Sequence, residues 1–181
     1  GVDPTLRNGK PSENYIKELI AWRDTIQRYE GFKPSLAMCN LQGARLSEGD
    51  YSGIDFSGSK LDGSEMQKSE FNGADFSGAS MVGAQLQWST LLGANLTSAD
   101  LCFSDLTGSR FECVYNLLKT KFRGAFMLYT SFLESRLRTA HIAMAFGHTS
   151  VNLPDHIKIP DHWSDSQLTI RDDYNVWLRS I

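Results

Sequence analysis

The chain has 181 residues, 41% of them apolar, with 18 Lys and Arg against 21 Asp and Glu for a net charge of −3. That length suits one domain, and its longest apolar runs fall far below the ~18 residues that a membrane-spanning helix needs. No basic start followed by an apolar stretch marks a signal peptide. The three cysteines, Cys39, Cys102 and Cys113, are odd in number and show no metal-like pairing, which fits a reducing, cytoplasmic setting.

Residues 1–11 read as a disordered or tag-derived leader, since the chain starts at Gly1 without Met. Sequence upstream of Gly1 is therefore an open question. Residues 12–33 read as a capping helix of about residues 12–30, with Ser12 at the N-cap and Gly31 and Pro34 at its end. Tyr15, Leu19, Trp22, Ile26 and Tyr29 line one face, flanked by Ile16 and Ile20.

From residue 34 to 146 the period changes to five. Every fifth residue from Leu36 to Phe111 is large and apolar, passing through Tyr51, Phe56, Phe71 and Phe76. After a one-residue slip the series resumes at Leu117, Phe122, Met127, Phe132, Leu137 and Ile142. A helix repeats every 3.6 residues and a strand every 2, so a sustained period of five means a solenoid. A small residue stands two positions before most large ones, as at Ala74, Ala79 and Ala94 and, after the slip, Thr120, Ala125, Thr130, Ser135, Ala140 and Ala145. Cys39 falls in that inward column. Two positions after the large residue Gly recurs, replaced by Trp88, Phe103 and Tyr129, which are expected to stand outside the core. Tyr115 is too large for the small column at the slip, and a bulge is expected there.

Segments such as Gly73-Ala74-Asp75-Phe76-Ser77 and Gly93-Ala94-Asn95-Leu96-Thr97 resemble the pentapeptide-repeat family, whose unit is Ala-(Asp/Asn)-Leu-x-x. The resemblance implies an all-β solenoid: a right-handed quadrilateral β-helix with four units per coil. The repeat would then form five to six coils and a tube of about 26 Å. Steps of twenty stack Leu36, Phe56, Phe76 and Leu96 on one face, and the other faces likewise. The periodic Phe and Met residues are read as a core ladder that leaves no room for a ligand.

Residues 147–181 abandon the repeat and read as an irregular and helical C-terminal cap. Leu153, Ile157, Ile159, Trp163, Leu168, Ile170, Trp177 and Leu178 are its apolar anchors, with a short helix over 171–180. The run Phe146 to Pro154 and the later Pro160-Asp161-His162-Trp163 are similar to tails that close pentapeptide-repeat proteins. All four histidines, His141, His148, His156 and His162, fall near this end. Asp155-His156 and Asp161-His162 suggest zinc, but their spacing matches no zinc motif, and no metal or cofactor is expected.

No nucleophile–base arrangement is recognisable, and the serines sit in the small and corner columns, so no enzymatic role is expected. Charge is the informative surface feature. Residues 47–109 carry nine acidic residues and two lysines, while Arg110, Lys119, Lys121, Arg123, Arg136 and Arg138 form a basic zone with two acidic residues among them. Asp50 should stack on Glu70 and Asp55 on Asp75, forming one acidic edge, and Trp88 and Tyr129 should share a face with Gly108 between them. These six are the candidate contact residues for an unidentified protein partner. The expected function is a non-enzymatic scaffold with no small-molecule substrate, no direct nucleic-acid contact and an open oligomeric state. One alternative is mimicry of duplex DNA, acting on DNA gyrase or another nucleic-acid-binding protein, as the family resemblance suggests. Against it stand the basic second half and a Pro-interrupted tail. Another is a soluble domain of a larger, possibly membrane-tethered protein.

Overall fold

The computed structural model describes residues 10–26, 34–163, 165 and 170–181. Between Ser35 and Asn152 the chain winds as a four-sided ladder whose outward columns pair in parallel at steps of twenty. The columns are Ser35–Asp55–Asp75–Asn95–Asn116, Asn40–Lys60–Ser80–Asp100–Lys121, Arg45–Glu65–Gln85–Asp105–Phe126 and Asp50–Glu70–Thr90–Arg110–Ser131–Asn152. The step becomes 21 at the slip.

One repeat shows why five residues suffice. Every buried N–H needs a partner, and the unit Asp55-Phe56-Ser57-Gly58-Ser59 finds all five. Asp55 N donates back to Pro34 O at 3.0 Å, and Phe56 N donates forward to Asp75 O at 2.7 Å. Gly58 N reaches Ser77 O at 2.8 Å, and Ser59 N closes the turn on Phe56 O at 3.0 Å. The remaining N–H, that of Ser57, donates to Asp55 Oδ1 at 2.8 Å. The acidic or amide residue of the repeat is thus a turn cap, as at Asn40, Asp50, Asp75, Asn95, Asp100 and Asp105. The third residue of each turn is left-handed: Gly58 has φ +62° and Gly108 +67°.

The large residues fill the interior. From Leu36 to Phe111 and again from Leu117 to Ile142 they are buried, with Phe56 and Phe76 stacked at 5.0 Å and Phe111 and Phe132 at 5.0 Å. Rings at that spacing form a continuous core without a channel. Four inward serines, Ser59, Ser89, Ser104 and Ser109, donate to the turn carbonyl three residues back, whereas the Ser64 hydroxyl has no partner among the described residues. These four hydroxyls are bound within the turns they pack in. Cys39 is buried, as its column requires.

Two details depart from the periodic reading. At the slip Val114, not Tyr115, turns inward, and Tyr115 is expelled as the extra residue with its side chain exposed. A β-branched apolar residue three positions after Phe111 fits the narrow tube, so the chain keeps its register there and absorbs the insertion outside. Ala140 is exposed rather than inward, because the chain there forms a short helix instead of another corner.

The helix α1, Glu13–Ile26, starts where Ser12 Oγ accepts Tyr15 N at 3.1 Å. Ile16 and Leu19 are buried in the same core as the first coil, with Tyr15 and Ile20 against it. The side chains of Trp22 and Ile26, and Tyr29 and Gly31, fall outside the described residues, as does the expected leader over residues 1–9. The two-residue strand β1, Phe126–Met127, pairs with β2, Phe146–Gly147, and the helix α2, Thr139–Ile142, lies between them. The helix α3, Ile170–Leu178, closes the described chain. In the tail Ile157 and Trp163 are buried and Leu153 packs partly, whereas Ile159 is exposed and is not an anchor. Leu168 lies outside the described residues.

Candidate functional site

The acidic candidates come together as a ladder. Asp50 bridges Glu70, and Asp55 bridges Asp75, on adjacent faces of the early coils. Three of these carboxylates are already engaged. Asp50 caps Ser52 N at 2.9 Å. Asp55 caps Ser57 N and accepts Ser35 Oγ at 3.0 Å. Asp75 caps Ser77 N and accepts Asn95 Nδ2 at 3.1 Å. The column is acidic because the turn needs an acceptor there, and its surface charge comes with that role.

The aromatic candidates stand on one corner. Reading along the coils, that corner carries Glu48, Lys68, Trp88, Gly108 and Tyr129, with Lys68 paired to Glu48 at 3.3 Å. Trp88 and Tyr129 have left-handed φ of 62° and 55° and remain 58% and 44% exposed. Gly108 separates them, and the Trp88 ring lies over it: a Cβ on Gly108 would stand 2.5 Å from Trp88 Cζ3. Phe103 covers Gly124 in the same way, and Met38 covers Gly58. The six predicted contact residues therefore form two places, not one: a carboxylate ladder on the early coils and a separated aromatic pair further along.

The basic zone also divides. Arg110 clamps Glu112 through two hydrogen bonds, of 2.6 and 3.2 Å. Lys121 pairs with Asp100 at 2.9 Å, and Arg123 donates to Ile181 O at 2.6 Å. Burial raises the Asp100 carboxyl, but hydrogen bonds from Cys102 and Lys121 outweigh it and leave its pKa lowered. Asp105 meets Arg171 at 3.5 Å. These pairs neutralise the middle of the rod and leave Lys119, Arg136 and Arg138 without carboxylate partners among the described residues.

The histidines serve the backbone. Nε2–H of His156 donates to Leu137 O at 3.2 Å, and that of His162 to Ala145 O at 2.7 Å, which also accepts Trp163 Nε1 at 2.9 Å. His148 Nδ1 accepts Ser150 N, and His141 Nδ1 accepts Arg138 N. The last coil has no further coil to bond its carbonyls, and the tail supplies donors instead. Among the described residues no group of three or more His, Cys, Asp or Glu side chains is placed to hold a metal ion.

An aromatic cluster escaped the periodic reading. Phe126 and Phe146 occupy an outward column that is polar in the earlier coils, and Tyr174 and Trp177 of α3 pack on them at 4.9 and 5.3 Å. Tyr174 Oη donates to Gly124 O at 2.8 Å, and Trp177 stacks on His162 at 5.2 Å. The signal was present as two apolar residues one coil apart in a polar column.

No helix among the described residues is long and apolar enough to cross a membrane. No curated protein matches the sequence. Full-length QnrB1, described as a plasmid-mediated fluoroquinolone resistance protein, is similar in structure with a TM-score of 0.52 and 19% identity, covering 78% of this chain and 72% of that one. A trypsin-treated form of QnrB1 gives a TM-score of 0.50 and 21% identity, over 68% and 67% of the two chains. The pentapeptide repeat protein alr5209 of Nostoc aligns over 77% of this chain and 95% of its own at 21% identity, with a TM-score of 0.44. The family described as Pentapeptide repeats matches residues 39–78 and 79–112 in eight copies. Those copies lie on the four-sided parallel ladder, so residues 39–112 are repeats of the pentapeptide-repeat family, whose members fold as right-handed quadrilateral β-helices.

Proposed function

We propose that this chain is a non-enzymatic binding scaffold that presents side chains on a rigid solenoid to a protein partner, in a reducing compartment such as the cytoplasm. The observation that carries this reading is Trp88: a large aromatic, more than half exposed, fixed at a left-handed corner over Gly108. Rigid aromatics lose little entropy on binding and make frequent contact anchors. The solid interior and the serines committed to turns support a role at the surface rather than in a chamber. The test is crosslinking capture with wild type and with Trp88→Ala/Tyr129→Ala. A partner retained by wild type and lost by the variant supports the reading. Recovery of nothing above control, or equal recovery by both, counts against it.

A second reading, duplex mimicry directed at DNA gyrase, is favoured by the stacked carboxylates Asp50–Glu70 and Asp55–Asp75. The likeness to QnrB1 speaks to the fold. A gyrase supercoiling assay tests it, using Asp50→Asn, Asp55→Asn, Glu70→Gln and Asp75→Asn together. Asn keeps the oxygen that caps each turn while removing the charge, so the turns survive. Dose-dependent inhibition or quinolone protection that this variant loses supports mimicry; no effect of wild type refutes it.

A further inference from the structure

The slip builds a depression in the wall of the tube. Expelling Tyr115 outward leaves a hollow of about 280 Å³ between two coils, lined by residues 115–119, Arg136, Arg138 and His141. Its charge is of one sign. None of Lys119, Arg136 or Arg138 has a carboxylate partner among the described residues, in contrast to the paired Arg110 and Lys121. Glu134, two residues before Arg136, is turned to the Cys113 thiol, which donates to it at 3.4 Å, and does not line the hollow. Arg136 lies over the Tyr115 ring at 5.7 Å. His141 Nδ1 accepts Arg138 N at 3.0 Å, so the proton of the neutral imidazole sits on Nε2, and a fourth donor belongs to the lining. Burial and the neighbouring Arg138 hold the His141 pKa below its ordinary value, so the ring is a neutral donor near pH 7.

We propose that this hollow is a binding site for a phosphate ester: two guanidinium groups and Lys119 meet the dianion, and Tyr115 and Leu118 meet the group esterified to it. Guanidinium forks match phosphate oxygens in pairs. Carrying three cations with no carboxylate in the lining costs the free protein repulsion, which a dianion relieves. The volume is ample for a phosphoryl group with a neighbouring ring or short side chain. The shared chemistry has two sources, a mononucleotide and a phosphoserine peptide, and inorganic phosphate is the probe that lacks the esterified group.

The experiment follows the His141 imidazole resonance by NMR at low salt, titrating inorganic phosphate, AMP and a phosphoserine peptide separately, with the unphosphorylated peptide as control. Saturable shifts with AMP or the phosphoserine peptide at about millimolar concentration or below are expected, with inorganic phosphate binding more weakly. The probe that binds tightest names the source. Arg136→Gln/Lys119→Gln should weaken binding about tenfold or more, because each charge-assisted contact is strong. Lys158→Gln, outside the lining, should leave binding unchanged. Circular dichroism on each variant confirms that the fold is kept. If neither ester shifts His141 up to about 10 mM, if inorganic phosphate binds as tightly as the better ester, or if the double variant binds as wild type does, the proposal is overturned.

Discussion

The most direct test of the corner geometry is Gly108→Ala. Two costs fall on this position. Alanine must adopt φ +67°, which costs an L-residue about 1–2 kcal/mol. Its Cβ would also overlap the Trp88 ring, which must then swing off the surface. Trp88 is 58% exposed, so a little under half of its surface is hidden. For a side chain of roughly 250 Å² that is about 100 Å², and at ~25 cal/mol/Å² losing it costs up to about 2.5 kcal/mol. Gly83→Ala is the control: its φ is +66°, and the space a Cβ would enter is open. Urea unfolding should place Gly83→Ala about 1–2 kcal/mol below wild type and Gly108→Ala about 2–4 kcal/mol below. In a Trp88→Ala background the two substitutions should cost the same, which is the double-mutant test of the contact. Equal costs in the wild-type background, or an unequal pair that persists without Trp88, would refute the argument.

Asp75→Asn should be nearly neutral in urea unfolding and Asp75→Ala should cost about 1 kcal/mol, because the Ser77 N–H loses its acceptor only in the second; equal losses would show that charge, not capping, matters. The Glu112 carboxyl is held below its ordinary 4.5, first by the Arg110 hydrogen bond, against the opposing effect of burial. A depressed folded value means that its stabilisation is complete above pH 4.5 and is lost as pH falls through the folded pKa. Because the Arg110 end of the pair is half exposed to solvent, Glu112→Gln should remove about 1 kcal/mol or less at pH 7 and nothing at pH ~2. A variant that stays equally less stable at both would assign the loss to packing. Low-micromolar zinc should leave the melting temperature unchanged, since each imidazole has one nitrogen bonded to the backbone and, among the described residues, no three His, Cys, Asp or Glu side chains are placed to hold a metal; a rise would reopen the metal reading.

The five-residue period made the tube legible because only one residue in five can point inward at the centre of a face, and the sequence obeys this from Leu36 to Ile142. The acidic edge was legible as a position but not as a role. Asp50, Asp55 and Asp75 look like a charged surface until each oxygen is found on a backbone N–H two residues ahead. The slip was legible as a place, but spacing backward from Leu117 points to residue 115, and the tube takes Val114 instead. Volume decided that, not period. Phe126 and Phe146 were hidden because apolar residues flank them in a segment already rich in apolar residues. Only the coil pairing, 126 with 146, shows that they form an outward aromatic strip. The histidines resembled ligands because sequence cannot show that the last coil lacks a neighbour for its carbonyls.

The exposed aromatics pose the harder question, since each also packs. Met38 lies over Gly58, Trp88 over Gly108 and Phe103 over Gly124. Neighbouring coils are only ~4.8 Å apart, so a large corner side chain reaches the corner of the next coil. Each of these three large side chains leans onto a glycine one coil later, and a contact surface built this way is partly a structural one. Trp88→Gly separates the two roles. It removes a left-handed L-residue, gaining about 1–2 kcal/mol, and forfeits up to about 2.5 kcal/mol of stacking over Gly108. The two nearly cancel, so urea unfolding should move by no more than about 1 kcal/mol. If Trp88 is there for a partner, capture should disappear while the fold stands. If capture persists and stability drops by several kcal/mol, the indole belongs to the wall of the tube, and the scaffold's contact surface lies on another face.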